Sequence, residues 1–447
     1  MPETGQAEGA GSPGAPARGT VADPEDLLGL VERSYGGDPI PGGERDYLDR
    51  HGARQARTLA WLPERPGRLL DVGCFPGHTS LLAASRGWSV TGVSRIDGRF
   101  VSEAFVARMR RCGIEVVHAD IERDVLPMEA ATFDAVFFNE IVEHLPFNPF
   151  HALDQVWRVL KPGGRLVFSV PNLARFDHIW ALLRGRSFYP ETGRPLEEAY
   201  HADIAQRHVR EYTRAECRDL LESQDKYLYR FRVERILMDR GGDGLFASAR
   251  GWRRRLKAIR PGRLARALAT RLAPRYRAGI FIVASKPADL VAVPAASLVV
   301  EGGYAEERSG SAPSFVRRPL RARWLTASAS VRIRVPPGCR TVRGLDVLLW
   351  MPAPPAAGSL RVQPSINGIP CAALSVPPST EPRRYRMRPA TPVALDGAGS
   401  EVVLALESTT WNPGALGVEA SDRALGPMLG VEEIGVWMDS APTPPPR

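Results

Sequence analysis

The sequence predicts a doubly wound α/β domain followed by an all-β domain, and three observations support this. Apolar, strand-like runs alternate with helical periodicity over residues 25–285. A turn that contains two glycines directly follows the first of these runs. From about residue 291 onward, short runs of alternating polarity are separated by proline and glycine. Strands that alternate with helices form parallel sheets, whereas many short strands with such turns form a β-sandwich or jelly roll.

Length and composition set the domain organisation. A chain of 447 residues is too long for one ordinary domain, and two or three are expected. The Gly/Ala/Pro-rich start predicts a disordered N-terminus over residues 1–24. We expect the α/β domain over residues 25–289, with a basic helical insertion at 240–278, and the β-sandwich accessory domain over residues 296–440.

The net charge of +9 is concentrated in one segment. Ten arginines, one lysine and no acidic residue lie between Arg250 and Arg277, so the rest of the chain is slightly acidic. This distribution argues against nucleic acid as a partner. Leu264, Leu268 and Leu272 recur every four residues. That spacing predicts either an amphipathic element that contacts an anionic membrane or a phosphorylated carrier, or a helix that packs on its own domain.

The apolar runs are too short for a membrane protein. None approaches the ~20 residues that span a bilayer. The first residues are acidic and rich in Gly, Ala and Pro, so they lack the basic start and apolar core of a secretory signal. Five scattered cysteines without a CxxC pair suggest neither a zinc knuckle nor a disulfide framework. We therefore expect a cytoplasmic protein.

Each element of the two domains follows from its local pattern. Residues 25–62 carry helical periodicity, and strands are predicted at 69–72, 88–93, 114–120, 133–138, 164–170, 227–233 and 279–285. Phe176, Trp180 and Leu183 share one face of a predicted helix after the fifth strand. We expect this helix and the loop behind it to form a substrate lid, because ligands enter at the carboxyl ends of the strands. In the second domain, Asn367-Gly368 predicts a hairpin turn.

The turn after the first strand has the spacing D-x-G-x-x-x-G. Asp71 ends the apolar run, and Gly73 and Gly77 let the backbone approach a ligand closely. The spacing lacks the three glycines of the dinucleotide fingerprint, and the acid would repel a pyrophosphate but suit an ammonium group. The segment resembles the first motif of class I S-adenosylmethionine (SAM) methyltransferases, D-x-G-x-G-x-G, with Phe75 in place of the middle glycine.

This resemblance implies a Rossmann-like fold and a set of cofactor-binding residues. SAM would contact the turn residues Asp71, Gly73, Cys74, Phe75 and Gly77. Ser94 stands after the second strand, where the family has an acid that holds the ribose hydroxyls, and Asp97 is an alternative. Asp120, with Ile121 beside it, matches the position that binds the adenine amino group, although Asp120 can also be read as a helix N-cap. Asn139 would lie at the methionine end of the cofactor.

The stretch E-x-x-E-H after the fourth strand carries the candidate chemistry. The spacing predicts that Glu140, Glu143 and His144 share one helical turn. Two carboxylates and an imidazole can hold a divalent metal such as Mg or Zn. Alternatively, His144 acts as a general base on a hydroxyl, with Glu143 beside it, or both residues merely cap and pack the helix.

A second motif resembles the partner of this stretch in another group. E-x-x-E-H resembles ubiquinone-pathway O-methyltransferases and small-RNA 2′-O-methyltransferases. In the latter, a histidine in H-x-F-E-W-T completes the metal site, and residues His208 to Thr213 match that pattern in form. His208 is thus a candidate fourth ligand. The alternative is a structural histidine ahead of a helix that begins at Thr213, where Thr213 and Glu216 form a capping box.

The resemblances together imply an enzyme of class EC 2.1.1. Residues 411–426 resemble the end of jelly-roll modules on bacterial glycan-modifying enzymes. We therefore expect SAM-dependent O-methylation of a hydroxyl of a sugar, glycan or related secondary metabolite, with His144 and Glu143 as catalytic residues. The alternatives are an RNA 2′-O-methyltransferase and a non-catalytic scaffold that presents the β-domain.

Overall fold

A computed structural model describes residues 24–96, 101–146, 149–188, 208–222, 229–239, 270–308, 321–336, 339–395, 401–417, 423–431 and 433–439. Seven α-helices are described in the first domain: α1 Pro24–Ser34, α2 Gly42–Leu59, α3 His78–Ala84, α4 Glu103–Arg111, α5 Pro149–Val159, α6 Phe176–Leu183 and α7 Arg214–Glu222. Its strands are β1 Arg68–Val72, β2 Ser89–Ser94, β3 Glu115–His118, β4 Phe133–Asn139, β5 Leu160–Pro171, β6 Arg232–Asp239 and β7 Gly279–Ser285.

These strands form one mixed sheet in the order β3-β2-β1-β4-β5-β7-β6. The five strands from β3 to β5 are parallel, and β7 runs antiparallel to both β5 and β6. The parallel strands place their carboxyl ends at one edge, where the strand order reverses between β1 and β4. This is the edge where open α/β sheets bind ligands. The predicted doubly wound α/β fold is confirmed.

Helices cover both faces of the sheet because its central strands are apolar on both sides. Leu69 and Leu70 of β1 are both fully buried, and they belong to opposite cores. One core packs α1 to α4 against the sheet, and the other packs α5 and α7. A parallel strand that is covered on both faces needs such a continuous apolar run, which is the pattern visible in the sequence.

The sixth strand begins later than predicted. Residues 227–233 were expected in the sheet, but β6 starts at Arg232. Tyr229 and Phe231 instead enter the core, where the Tyr229 hydroxyl donates to the carbonyl of Leu220 and the Phe231 amide donates to that of Leu221. Alternation of apolar residues alone cannot distinguish a strand from an extended segment that crosses the core beside α7.

The second domain is built of antiparallel strands, which confirms the predicted change to an all-β region. Its strands are β8 Leu290–Pro294, β9 Leu298–Arg308, β10 Arg321–Arg334, β11 Thr341–Met351, β12 Leu360–Ile366, β13 Ile369–Pro370, β14 Leu374–Val376, β15 Ser379–Met387, β16 Val393–Ala394, β17 Glu401–Ser408, β18 Met428–Gly430 and β19 Glu433–Met438. The long strands β10 and β11 join the others through pairings with β9, β15, β17, β18 and β19. Asn367 and Gly368 have φ of 48° and 79° and connect β12 to β13, so the predicted hairpin forms there.

The junction between the two domains is short and anchored. The second sheet begins at Leu290, ahead of the predicted boundary at residue 296. Lys286 is buried, and its Nζ donates to the carbonyls of Trp157 (2.8 Å) and Leu160 (2.9 Å). Asp289 is paired with Arg232 of the first domain (3.5 Å) and with Arg343 of the second (2.9 Å).

Two predicted features fall largely outside the described residues. The basic insertion at 240–278 is described only from residue 270, and the loop of the predicted lid only to residue 188. Asp97 also lies outside. Within the described part of the chain, no helix combines the length and apolar character needed to cross a bilayer.

Candidate functional site

The turn between β1 and α3 requires glycine at two positions. Gly73 and Gly77 have φ of 69° and 92°, a region that side chains with a Cβ rarely adopt. A Cβ on Gly73 would collide with the side chain of Ile141, and one on Gly77 would lie 2.6 Å from the sulfur of Met109. The turn is therefore held closely against its neighbours on two sides.

A cavity of about 430 Å³, partly open to solvent, lies at the carboxyl ends of β1, β4 and β5. It brings together five of the predicted cofactor residues: Asp71, Gly73, Cys74, Phe75 and Asn139. The rest of its lining consists of Tyr47, Arg54, Gln55, Thr58, Pro76, His78, Thr79, Glu140 and Ser169. Gly77 does not line the cavity but ends the turn as the residue before α3.

Two polar groups in the cavity wall fit a cationic ligand. The Asp71 carboxylate is buried and accepts a hydrogen bond from Ser80 Oγ at 2.6 Å. Burial raises the pKa of Asp71 to about 7, which a nearby positive charge would lower again. Asn139 Oδ1 is buried and receives no hydrogen bond from any described residue. An acid and an unpaired carbonyl oxygen suit the amino-acid ammonium of SAM.

The predicted contacts to the ribose and adenine lie farther along the same sheet edge. Ser94 ends β2, and its carbonyl accepts from the amide of Ala119. Asp120 follows β3, where its Oδ1 accepts from the amide of Glu122 at 3.1 Å. Ile121 is half-buried against the core. None of Ser94, Asp120 and Ile121 lines the cavity, and the backbone contact of Asp120 lies in a turn, with no helix beginning there.

An ion pair in the cavity wall was not anticipated from the sequence. Arg54 Nη1 of α2 donates to Glu140 Oε2, and Ser169 Oγ donates to Glu140 Oε1 at 2.9 Å. Tyr47, also on α2, lines the same wall, and burial raises the pKa of its hydroxyl. Helical periodicity predicts that α2 packs on the sheet, but it does not indicate which of its polar residues reach the edge where ligands bind.

A buried polar network holds the turn between β1 and α3 in place. Arg108 of α4 donates to Glu44 Oε1 (3.0 Å) and to the carbonyl of Pro76 within the turn (2.8 Å). The Glu44 carboxylate also accepts from the Tyr35 hydroxyl (2.5 Å) and lies 3.1 Å from His78 Nε2. Burial alone would raise the pKa of Glu44, but these donors and the charge of Arg108 lower it below its ordinary value. The network therefore joins α1's end, α2 and α4 to the turn.

Glu143, His144 and His208 form a second cluster beyond the cavity. Their ligand atoms all lie within 4.8 Å of one another. His144 Nε2 lies 3.9 Å from Glu143 Oε1, and the two imidazole rings are 5.1 Å apart. The structure thus brings together three of the four residues predicted for a metal, two of which are separated from the third by more than sixty positions in the sequence.

Glu140 is placed differently from the prediction that the motif shares one helical turn. Glu140 has a φ of 55°, outside any helix, and only Val142–His144 form a short 3₁₀ helix. The amide of Glu140 instead donates to the carbonyl of Ser169 (2.8 Å), which continues the pairing of β4 with β5. The carboxylate turns toward Arg54, so it lies in the cavity wall and not in the cluster.

The burial and missing hydrogen bonds of Glu143 suit a divalent cation in the cluster. This carboxylate is fully buried, and neither oxygen receives a hydrogen bond from a described residue. Burial, and then the negative charge of Glu140, hold the pKa of Glu143 well above its usual range. A buried and unpaired carboxylate is costly, and a cation bound with two imidazoles would compensate it.

Backbone contacts fix His208 beside the 3₁₀ helix. The amide of Val209 donates to the carbonyl of Glu143 at 2.7 Å, and Tyr212 bridges to Asn172 at the end of β5. The predicted capping box forms next, since the amide of Thr213 donates to Glu216 Oε2 (2.8 Å). These contacts end the segment at the start of α7 and bring His208 to the sheet edge.

Residues 45–225 match the sequence family described as a methyltransferase domain. The ubiquinone biosynthesis O-methyltransferase of Pseudomonas fluorescens is 32% identical over 147 residues, which are 31% of this chain and 61% of that protein. The 27-O-demethylrifamycin SV methyltransferase of Amycolatopsis mediterranei is 31% identical over 35% of this chain and 57% of its own length. The chain thus spans about three fifths of the curated relatives that it matches.

Among solved structures, a SAM-dependent methyltransferase from Mesorhizobium loti superimposes with a TM-score of 0.34 and 21% identity, over 51% of this chain and 95% of that one. The sheet order, the acid-first glycine turn and the sequence relatives agree with one another. Residues 45–225 are therefore similar to methyltransferase domains in sequence, and their sheet order and acid-first glycine turn agree with that similarity.

Proposed function

We propose that the protein transfers a methyl group from SAM to a hydroxyl group. The observation that carries this proposal is the Glu143–His144–His208 cluster, in which Glu143 and His144 follow the cavity residues Asn139 and Glu140 within a few positions of the sequence. One curated relative is named an O-methyltransferase and another a methyltransferase of 27-O-demethylrifamycin SV, which supports an oxygen acceptor. The resemblance of residues 411–426 to modules on glycan-modifying enzymes supports a sugar, glycan or related secondary metabolite as the acceptor.

The residues of the cavity would bind and orient the methyl donor. When bound, SAM supplies an electrophilic methyl group on a sulfonium. Asp71 and Asn139 offer oxygen acceptors for its ammonium, and Gly73 contributes backbone to the cavity wall. Catalysis would consist mainly of holding the acceptor hydroxyl in line with the methyl group, since well-oriented reactants lose most of their entropic barrier.

The cluster would remove the proton of the acceptor hydroxyl. Glu143, His144 and His208 would hold a divalent cation such as Mg or Zn, which would lower the pKa of a bound hydroxyl so that its proton passes to solvent. Without a cation, His144 would accept the proton as a general base. Both routes place the same residues next to the reacting oxygen, and they differ in whether a chelator abolishes activity.

RNA 2′-O-methyl transfer is the second candidate function. His208 joins the cluster, as the resemblance to small-RNA 2′-O-methyltransferases implies. The slightly acidic character of the chain outside Arg250–Arg277 counts against it, since RNA binding needs phosphate-neutralising surface. Methyl transfer to a short RNA, with binding that weakens as salt rises, would favour this function over the glycan acceptor.

The test is formation of S-adenosylhomocysteine from SAM with panels of glycans, phenolic metabolites and short RNAs, with and without a chelator. Glu143→Gln and His144→Gln should each lower turnover by about 10²–10⁴-fold while SAM affinity stays within a few-fold of wild type. Glu129→Gln, at an exposed position, is the matched control. Absence of SAM binding by wild-type protein in calorimetry would refute the proposal and leave the scaffold as the alternative.

A further inference from the structure

A second layer of side chains lies behind the Glu143–His144–His208 cluster. His208 Nδ1 is 2.8 Å from Glu211 Oε1, and Glu211 Oε2 is 3.3 Å from His178 Nδ1. The Glu211 side chain is only 2% exposed and that of His178 only 6%. One buried carboxylate thus connects an imidazole of the cluster to an imidazole on α6.

The contacts fix which nitrogen of each ring carries the proton. A carboxylate can only accept, so His208 Nδ1 donates to Glu211 and the lone pair of the neutral ring resides on Nε2. His178 Nδ1 lies 3.1 Å from the carbonyl of Leu173, which also can only accept. Nδ1 of His178 therefore carries a proton as well and donates it to the Leu173 carbonyl, while Glu211 Oε2 lies 3.3 Å away.

The charges of this region favour a cation in the cluster. Glu143 and Glu211 are both buried, and neither Glu143 nor Glu211 Oε2 has a hydrogen-bond donor among the described residues. Two buried carboxylates at short range repel each other unless positive charge lies between or beside them. A cation held by Glu143, His144 and His208 would stand on the opposite side of the His208 ring from Glu211 and so serve both carboxylates.

His178 connects Glu211 and the cluster to α6. The helix spans Phe176–Leu183 and shows little burial apart from His178. Its outer residues Trp180, Leu182 and Leu183 are exposed. His178 is consequently the main buried anchor of α6 among its own residues, and that anchor leads to His208 through one carboxylate.

We propose that Glu211 and His178 are positioning residues that orient His208 for a divalent cation and couple binding of that cation to the order of α6. This inference rests on the cation site of the proposed function. Carboxylates behind a ligating histidine typically change metal affinity by about 10–100-fold when removed. His178 does not touch the cluster, so its main effect falls on α6.

Binding of Mn²⁺ and of Zn²⁺ to the full-length protein tests the first half of this inference, by electron paramagnetic resonance and calorimetry respectively. Glu211→Gln should weaken binding by about 10–100-fold, while His178→Gln should weaken it by less. Glu103→Gln, at an exposed position on α4, should bind as wild type does. Unchanged SAM affinity in the Glu211→Gln variant shows that its fold is retained.

Hydrogen exchange of residues 176–183 tests the second half. Addition of the cation should slow exchange in the wild type, and this slowing should disappear in His178→Gln. Wild-type affinity in Glu211→Gln, exchange that ignores the cation, or a wild type that takes up neither cation would each overturn the inference. Chelator-resistant methyl transfer by the same protein would leave the proposed function standing while this inference falls.

Discussion

Replacement of Arg108 by methionine should destabilise the turn between β1 and α3, which Arg108 contacts at the carbonyl of Pro76. The side chains of Arg108 and Glu44 are only 5% and 8% exposed, so the variant leaves a buried carboxylate without its cationic partner. Removal of one partner from a buried ion pair costs about 3–5 kcal/mol. Because Glu44 keeps its contacts to Tyr35 and His78, we expect the free energy of unfolding to fall by about 3 kcal/mol.

The same variant should also weaken SAM binding. The carbonyl of Pro76 loses its donor, and that residue belongs to the turn and lines the cavity. Loss of one charge-assisted hydrogen bond that orders the turn corresponds to about 1.5 kcal/mol, or roughly tenfold in affinity. Calorimetry with SAM measures this effect, while the turnover number at saturating SAM should change much less.

Native-state hydrogen exchange of α3 reports the stability effect within the first domain. Arg110→Met is the matched control, because Arg110 lies on the same helix and is exposed, and it should change stability by no more than about 0.5 kcal/mol. Combining Arg108→Met with Glu44→Gln should cost less than the sum of the two single changes. If Arg108→Met destabilised α3 no more than Arg110→Met does, the reasoning about the network would be refuted.

Three further results are expected. Burial raises the pKa of Asp71 to about 7, so its carboxyl must lose its proton when a cationic ligand binds below that pH. SAM affinity measured by calorimetry should therefore fall about tenfold per pH unit below 7, and this pH dependence should disappear in Asp71→Asn. Gly77→Ala should cost about 2–4 kcal/mol by thermal or urea unfolding, because a left-handed conformation and a sulfur contact both oppose its Cβ, whereas Gly113→Ala, with φ of 75° but open space, should cost only about 1–2 kcal/mol. In the second domain Asp346 is fully buried and accepts two hydrogen bonds from Arg386 at 2.8 and 2.9 Å. Asp346→Asn should therefore destabilise that domain by about 3–5 kcal/mol, measured by hydrogen exchange of β11, and adding Arg386→Met should cost little more.

Local patterns were sufficient to predict the sheet and the glycine turn. Buried strands, glycine spacing and the position of Asp71 depend on short-range sequence, so the α/β fold and the cavity residues Gly73 and Asn139 could be located. The approach of His208 to Glu143 came from the pairing of two motifs, because no local signal links positions so far apart.

The rest depends on tertiary contacts that periodicity does not encode. Glu140 adopts a left-handed conformation, and its amide extends the pairing with β5. The spacing of the motif predicts a helical turn instead, so the sequence gives no sign of this pairing. Arg54 reaches the cavity because α2 packs in one core with α3 and the sheet. Glu211 appeared in the sequence simply as one acid within a matched motif, and its contacts to two histidines become visible only when α6 is in place.

The anchored junction holds the β-domain to the first domain. Four residues separate β7 from β8, and within them Lys286 bonds to the first domain while Asp289 pairs with residues of both domains. Arg384 of β15 also donates to the carbonyl of Tyr229 in the first domain. Under the proposed function, an acceptor bound by the β-domain would be presented from a fixed position, and its distance from the methyl donor would limit which site on a long acceptor is modified.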